Sequence, residues 1–162
     1  MSLLGSYVSR IEALIAGMTT AGGYNSTWCA LPTASLANDK NFQSFPCGQA
    51  IVITEDEDPD AEFTQTYANQ CIVEIMVKDD LSSVKADPQR DIRDVYYNDL
   101  EDLKKLFGQD TSLNDLGVNG FYYLGMELVN HEDKDYFTPK HMIVRFTMTY
   151  RQDRFTPSQA SC

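Results

Sequence analysis

Basic residues are scarce in this chain. Its 13 lysines and arginines stand against 24 aspartates and glutamates, a net charge of −11 over 162 residues. A nucleic-acid reader displaces counterions with a basic footprint, so that role is not expected. The same deficit argues against docking on anionic lipid. No run approaches the roughly 18 apolar residues of a membrane span. The opening residues place no cationic stretch ahead of an apolar block, so no secretory signal is expected. The chain reads as one made and kept in a reducing compartment.

Groups that do chemistry are also few. There are two histidines, His131 and His141, and four cysteines, Cys29, Cys47, Cys71 and Cys162. No two cysteines form a C-x-x-C pair, and their spacings match no zinc site. Cys71 sits in an apolar alternation and is expected in the core. Cys29 and Cys47 flank a loop and have the reach to meet, but a disulfide is not expected in a reducing compartment. Gly22-Gly23 lacks the preceding strand and the following Lys-Ser/Thr of a phosphate loop. No serine or cysteine sits in a nucleophile elbow. His131-Glu132-Asp133 reads as a solvated loop, and His141 as a structural residue. The acidic run over residues 55–62 lacks the glycine and spacing of a calcium-binding loop. Glu74 and Lys78 are four apart, where a restriction-type nuclease places such residues two apart. No catalytic, cofactor-binding or metal-binding residue is assigned, and no cofactor is expected.

What is present is a regular pattern of elements. Residues 3–18 carry apolar positions at helical spacing, Leu4, Val8, Ile11, Ile15 and Met18, widened by Leu3, Tyr7 and Leu14. Ser2 is the expected N-cap, and Gly22-Gly23 the expected end. Residues 24–29 suit a short strand. Residues 30–47 read as a long irregular segment pinned by Phe42 and Phe45. Residues 49–54 form a strand with Ile51 and Ile53 on one face, after which the acidic run and Pro59 predict an exposed loop. Residues 70–78 alternate, with Cys71, Val73, Ile75 and Val77 on one face.

Asp87-Pro88 opens a second helix. Its stripe is Ile92, Val95, Tyr96, Leu100, Leu103, Leu106 and Phe107, and Gly108 is its stop. Two strands follow. Residues 121–129 place Tyr122, Leu124, Met126 and Leu128 on one face. Residues 141–151 place Met142, Val144, Phe146, Met148 and Tyr150 on one face, and Ile143, Arg145, Thr147, Thr149 and Arg151 on the other.

This order predicts a single α+β domain over residues 1–151, an antiparallel or mixed sheet of four to five strands packed on two helices, with a polar tail at 152–162. Ile143, Arg145 and Thr147, on the face away from the core, are candidates for a subunit interface. So are Tyr136, Phe137 and Phe155, aromatics outside the core stripes, since exposed aromatics favour protein contacts. A solvated face and a small core beneath loops are the alternatives.

Several local features resemble the tail terminator proteins of long-tailed bacteriophages. They are the opening amphipathic helix, the strand at 70–77 ahead of a helix near Asp91-Ile92, the stretch Asp115-Leu116-Gly117-Val118 leading into a strand, and the closing Phe146-Thr147-Met148-Thr149-Tyr150-Arg151. Together they span most of residues 3–151, and neck and tail-completion proteins share them. The resemblance implies a structural virion protein of the tail or neck, made in the host cytoplasm and carrying no catalytic residue. It implies a hexameric ring that caps the tail tube, contacts the tail tube protein and the head–tail connector, and lets DNA pass without specific binding. In such a ring Glu55, Asp56, Glu57, Asp58, Asp60 and Glu62 would line the lumen or face a neighbouring ring. Another connector, neck or tube subunit is the nearest alternative. A carboxylate-based metal-dependent hydrolase is the alternative of a different class.

Overall fold

The computed structural model describes residues 2–30, 46–57, 66–79, 92–109, 113, 118–130, 132 and 139–153. Helix α1 spans Leu3–Ala16, strand β1 Cys29–Ala30, β2 Cys47–Glu57, β3 Thr66–Lys78, helix α2 Ile92–Gln109, β4 Val118–Asn130 and β5 Pro139–Asp153. The chain has the expected α+β architecture. Its sheet runs β1-β2-β3-β5-β4. The four long strands pair antiparallel, and the two-residue β1 adds a parallel edge beside β2.

Both helices cover one face of the sheet. Tyr7, Ile11, Ile15 and Met18 of the first segment meet Tyr96, Leu103, Leu106 and Phe107 of α2 over Cys71, Val73, Ile75, Val77 and the even-numbered apolar residues of β5 from Met142 to Tyr150. The alternation read for β3 and β5 therefore holds. Strand side chains point to opposite faces with period two, and helix-facing positions fill with apolar residues. Phe107, Phe121 and Phe146 bring α2, β4 and β5 together, with ring centroids 4.7–5.1 Å apart, a range that suits offset or edge packing of aromatic rings.

Ser2 caps α1 as expected, accepting from the Gly5 N–H at 3.0 Å. The helix ends earlier than the pattern suggests. Gly17 is the C-cap, with its N–H turned onto the Ala13 and Leu14 carbonyls. Gly22-Gly23 belongs instead to a separate turn built on Thr19, where Gly23 takes the positive φ of 93° that a side chain would resist. Met18 stays buried beyond the helix end. Gly108 lies inside the last turn of α2, one residue before its end, so it is not the stop. The predicted strand at 24–29 shrinks to Cys29–Ala30.

Strands β2 and β4 depart from the alternation read for them because each carries extra residues. In β4 the register slips around Asn119 and around Leu124. A bulge sets two residues against one and resets which side chains face the core. Phe121 and Tyr123 therefore lie opposite Met148 and Phe146 on the helix side, and Met126 and Leu128 lie opposite Val144 and Met142. Tyr122 faces away and Leu124 is the bulged residue, so the single face read for Tyr122, Leu124, Met126 and Leu128 does not exist. In β2 a slip at Ile53 has the same effect. Ile51 points away from the helices, and Ile53 sits in the bulge; both are exposed.

Asp87-Pro88, Phe42 and Phe45 lie outside the described residues.

Candidate functional site

No described element covers the other sheet face, although Cys47 and Gln49 at its β2 edge are buried, and register fixes what the face presents. One row across β2, β3, β5 and β4 reads Ile51, Glu74, Arg145, Gly125. The row on one side reads Gln49, Met76, Ile143, Glu127, and the row on the other reads Thr54, Ile72, Thr147, Tyr122. Directly opposed residues in an antiparallel pair share a face, so these side chains are neighbours.

Arg145 is the centre of this face. Its Nε donates to Glu74 Oε2 at 2.7 Å and its Nη2 to Glu127 Oε2 at 3.3 Å. The Glu74 bond, the larger influence, holds the guanidinium proton more firmly and raises its pKa. Two carboxylates around one guanidinium leave the cluster one negative charge in excess. Ile72, Met76 and Ile143 surround it and are half-buried although no described element covers them. Tyr122, 65 % exposed, stands at one corner and Ile51, 38 % exposed, at another. A guanidinium ringed by aliphatic and aromatic side chains is the composition that protein interfaces favour. A sheet face meant for water shows a cleaner polar alternation.

The candidate interface residues thus divide. Ile143, Arg145 and Thr147 lie side by side on the open face as expected. Tyr136, Phe137 and Phe155 lie outside the described residues.

The acidic candidates divide too. Glu55, Asp56 and Glu57 were expected in an exposed loop, but they form the last three residues of β2 and pair with Cys71, Gln70 and Asn69. The bulge at Ile53 is the reason. It turns Glu55 toward the helix side, where Glu55 Oε2 accepts from the Tyr150 hydroxyl at 2.8 Å. Burial first, and then this carboxylate, push the Tyr150 hydroxyl up. Burial, followed by the nearby Glu55 and Asp56 carboxylates, pushes the Cys71 thiol up to about 11. Asp58, Asp60 and Glu62 lie outside the described residues, as does His131. His141 faces Val129 in the β4–β5 pairing.

A second polar centre was not foreseen. Asp99 and Asp102 sit on the inner side of α2 and are about 1–2 % exposed. Asp102 is fully engaged: it accepts from the Asn25 and Ser26 backbone N–H groups and from Trp28 Nε1. Asp99 has no donor for either oxygen while it is ionised. Asp79 can bond to it only when the two carboxyls share a proton. Burial, with the neighbouring Asp79 and Asp102, therefore drives the Asp99 carboxyl well above the ordinary carboxylate range. Sequence spacing carried a signal for these residues, since 95, 99, 102, 103 and 106 fall on one helical face. The polar identity of two of them concealed it.

Among the described residues no group of three or more His, Cys, Asp or Glu side chains is arranged to hold a metal ion. No helix among them is long and apolar enough to cross a membrane. No protein-family model matches the chain, and no curated protein matches it either.

Proposed function

We propose that this chain is a structural subunit that assembles into a ring and closes the tail of a long-tailed bacteriophage, where it joins the tail tube to the head connector. The observation that carries the reading is the sheet face turned from the helices, which no described element covers across β3, β5 and β4. A 13-to-15-residue set of strands presents Ile72, Met76, Ile143 and Tyr122 around the Glu74–Arg145–Glu127 cluster, while both helices occupy the opposite side. An assembled ring would cover such a face with the neighbouring subunit.

The charge supports the same reading. A hexamer carries about −66 in total, and an acidic lumen repels phosphates, so DNA would slide through without adhering. Asp56 and Glu57 lie at the β2–β3 end of the sheet, next in sequence to Asp58, Asp60 and Glu62. That end would face the lumen or the adjoining ring. The reading assigns no catalytic residue.

Native mass spectrometry followed by electron microscopy of the purified chain tests this. Closed rings of one subunit layer that bind tail-tube ends support the proposal. Open stacks that grow with concentration would indicate a tube subunit instead, and a monomer at all concentrations would overturn it. Replacing Asp56, Glu57 and Asp58 with lysine should leave ring formation intact while DNA affinity rises, most at low salt.

A further inference from the structure

We propose that Cys29 and Cys47 are a redox-controlled staple: dithiol when the chain is made, and convertible to an intramolecular disulfide that fastens the edge strand β1 to the sheet. The two residues are direct partners in the parallel β1–β2 pairing. Both are thiols in the structure, and the two side chains are hydrogen-bonded to each other. Neighbouring strands lie about 4.8 Å apart. That spacing falls inside the Cα separation of about 4.4–6.8 Å that a disulfide spans.

The placement gives the bond a purpose. Among the described residues, strand β1 is held to β2 by two register pairs, Cys29 with Cys47 and Ala30 with Gly48. Yet this edge supports the core beside it. Trp28 is buried immediately before β1, and a Cβ built on Gly48 would lie 3.0 Å from Ile15 of α1 and 3.6 Å from the Trp28 ring. Opening of β1 would expose that packing. A covalent link across the first pair prevents it and also closes the chain between positions 29 and 47, which lowers the entropy of the unfolded state.

The pair is ordered for stepwise oxidation by a low-molecular-weight disulfide such as oxidised glutathione. Cys29 is partly exposed and Cys47 is fully buried, so the oxidant meets Cys29. The Cys29 thiolate attacks one sulfur of the oxidant, and one glutathione thiolate leaves. The Cys47 sulfur then attacks Cys29 Sγ and displaces the second glutathione, whose departing sulfur takes the Cys47 proton. Two protein S–H groups become one S–S bond, and the oxidant is reduced to two thiols. Burial, and after it the contact with Cys29 and the charge of Glu12, push the Cys47 thiol up, so the second step is the slower one.

The test is oxidation of the folded chain in a Cys162→Ser background, which removes a competing thiol. The sample is incubated with excess oxidised glutathione and read by intact mass, peptide mapping and thermal melting. The expected product has lost two hydrogens, carries a Cys29–Cys47 cross-linked peptide, and melts higher by about 5 °C or more, a gain reversed by dithiothreitol. Adding Cys47→Ser should stop the reaction at a stable glutathione adduct on Cys29. A cross-link found elsewhere, a wild-type Cys47 chain that stops at the adduct, or a folded chain that stays a dithiol while the urea-unfolded chain reacts would each overturn the proposal. All readings are made on the isolated chain and do not depend on ring assembly.

Discussion

The Trp28 indole N–H donates to Asp102 Oδ2 at 2.9 Å, and this single carboxylate also receives the Asn25 N–H at 2.8 Å and the Ser26 N–H at 3.2 Å. It therefore moors the segment between α1 and β1 onto α2, three turns into that helix. Lys105 adds a bond to the Gly23 carbonyl at 2.7 Å on the same side. Asp102→Ala would leave the buried indole and two part-buried backbone donors without their acceptor, and a loss of about 2–3 kcal/mol is expected in urea melts. Asp102→Asn keeps the shape but turns an N–H toward N–H donors, so it should recover only part of that loss.

Asp99 should make stability depend on pH. Its carboxyl titrates far above the ordinary value near 3.8 in the folded chain, so the native state holds this proton after the unfolded state has released it. Stability from this group is complete below about pH 4 and is lost as pH rises toward the raised folded value. Asp99→Asn removes the titration and offers an N–H to Asp79. The variant should be more stable than the parent by on the order of 1 kcal/mol or more at pH 8, with the gap closing near pH 4. Paired melts at the two pH values check this; an equal gap at both would contradict it.

Phe146 is buried at 1 % exposure between Phe107 and Phe121. Phe146→Ala removes the ring where three elements meet and should cost about 3–5 kcal/mol in chemical denaturation. A loss below about 1 kcal/mol would mean that this face of β5 is not the core.

Arg145 should behave in the opposite way. Its side chain is 33 % exposed and its two ion pairs lie on the open face, so Arg145→Ala should lower the stability of the isolated subunit by at most about 1 kcal/mol. Arg145→Glu would gather three carboxylates at the centre of that face. If neighbouring subunits meet there, analytical ultracentrifugation of this variant should show subunits where the parent forms rings. Unchanged assembly would place the contact elsewhere.

Tyr150 and Glu55 offer a smaller test. Tyr150→Phe keeps the edge contact with Tyr7, 5.1 Å between centroids, and deletes the hydroxyl that Glu55 accepts from. Glu55 is solvent-exposed, so water replaces the hydroxyl there, but the hydroxyl also meets the buried Asn69 and Cys71 side chains, and the cost should be about 1–2 kcal/mol.

Periodicity alone determined the helices, the strands β3 and β5, and the core residues they share, because a 3.6- or 2-residue repeat maps directly onto one buried face. It also placed Ile143, Arg145 and Thr147 together away from the core. The composition, with its acidic excess and its lack of catalytic motifs, was equally open to reading. Tertiary structure decided the rest. The bulges at Ile53, Asn119 and Leu124 arise from pairing with a neighbouring strand, and each reverses the faces that alternation assigns. The burial of Asp99 and Asp102 depends on Asp79 and on residues 25–28 arriving from distant parts of the chain. Glu74 and Glu127 reach Arg145 only because β3 and β4 flank β5, and Cys29 meets Cys47 only because β1 pairs beside β2. These are relations between strands and helices far apart in sequence, set by how the elements bury one another, and no local repeat encodes them.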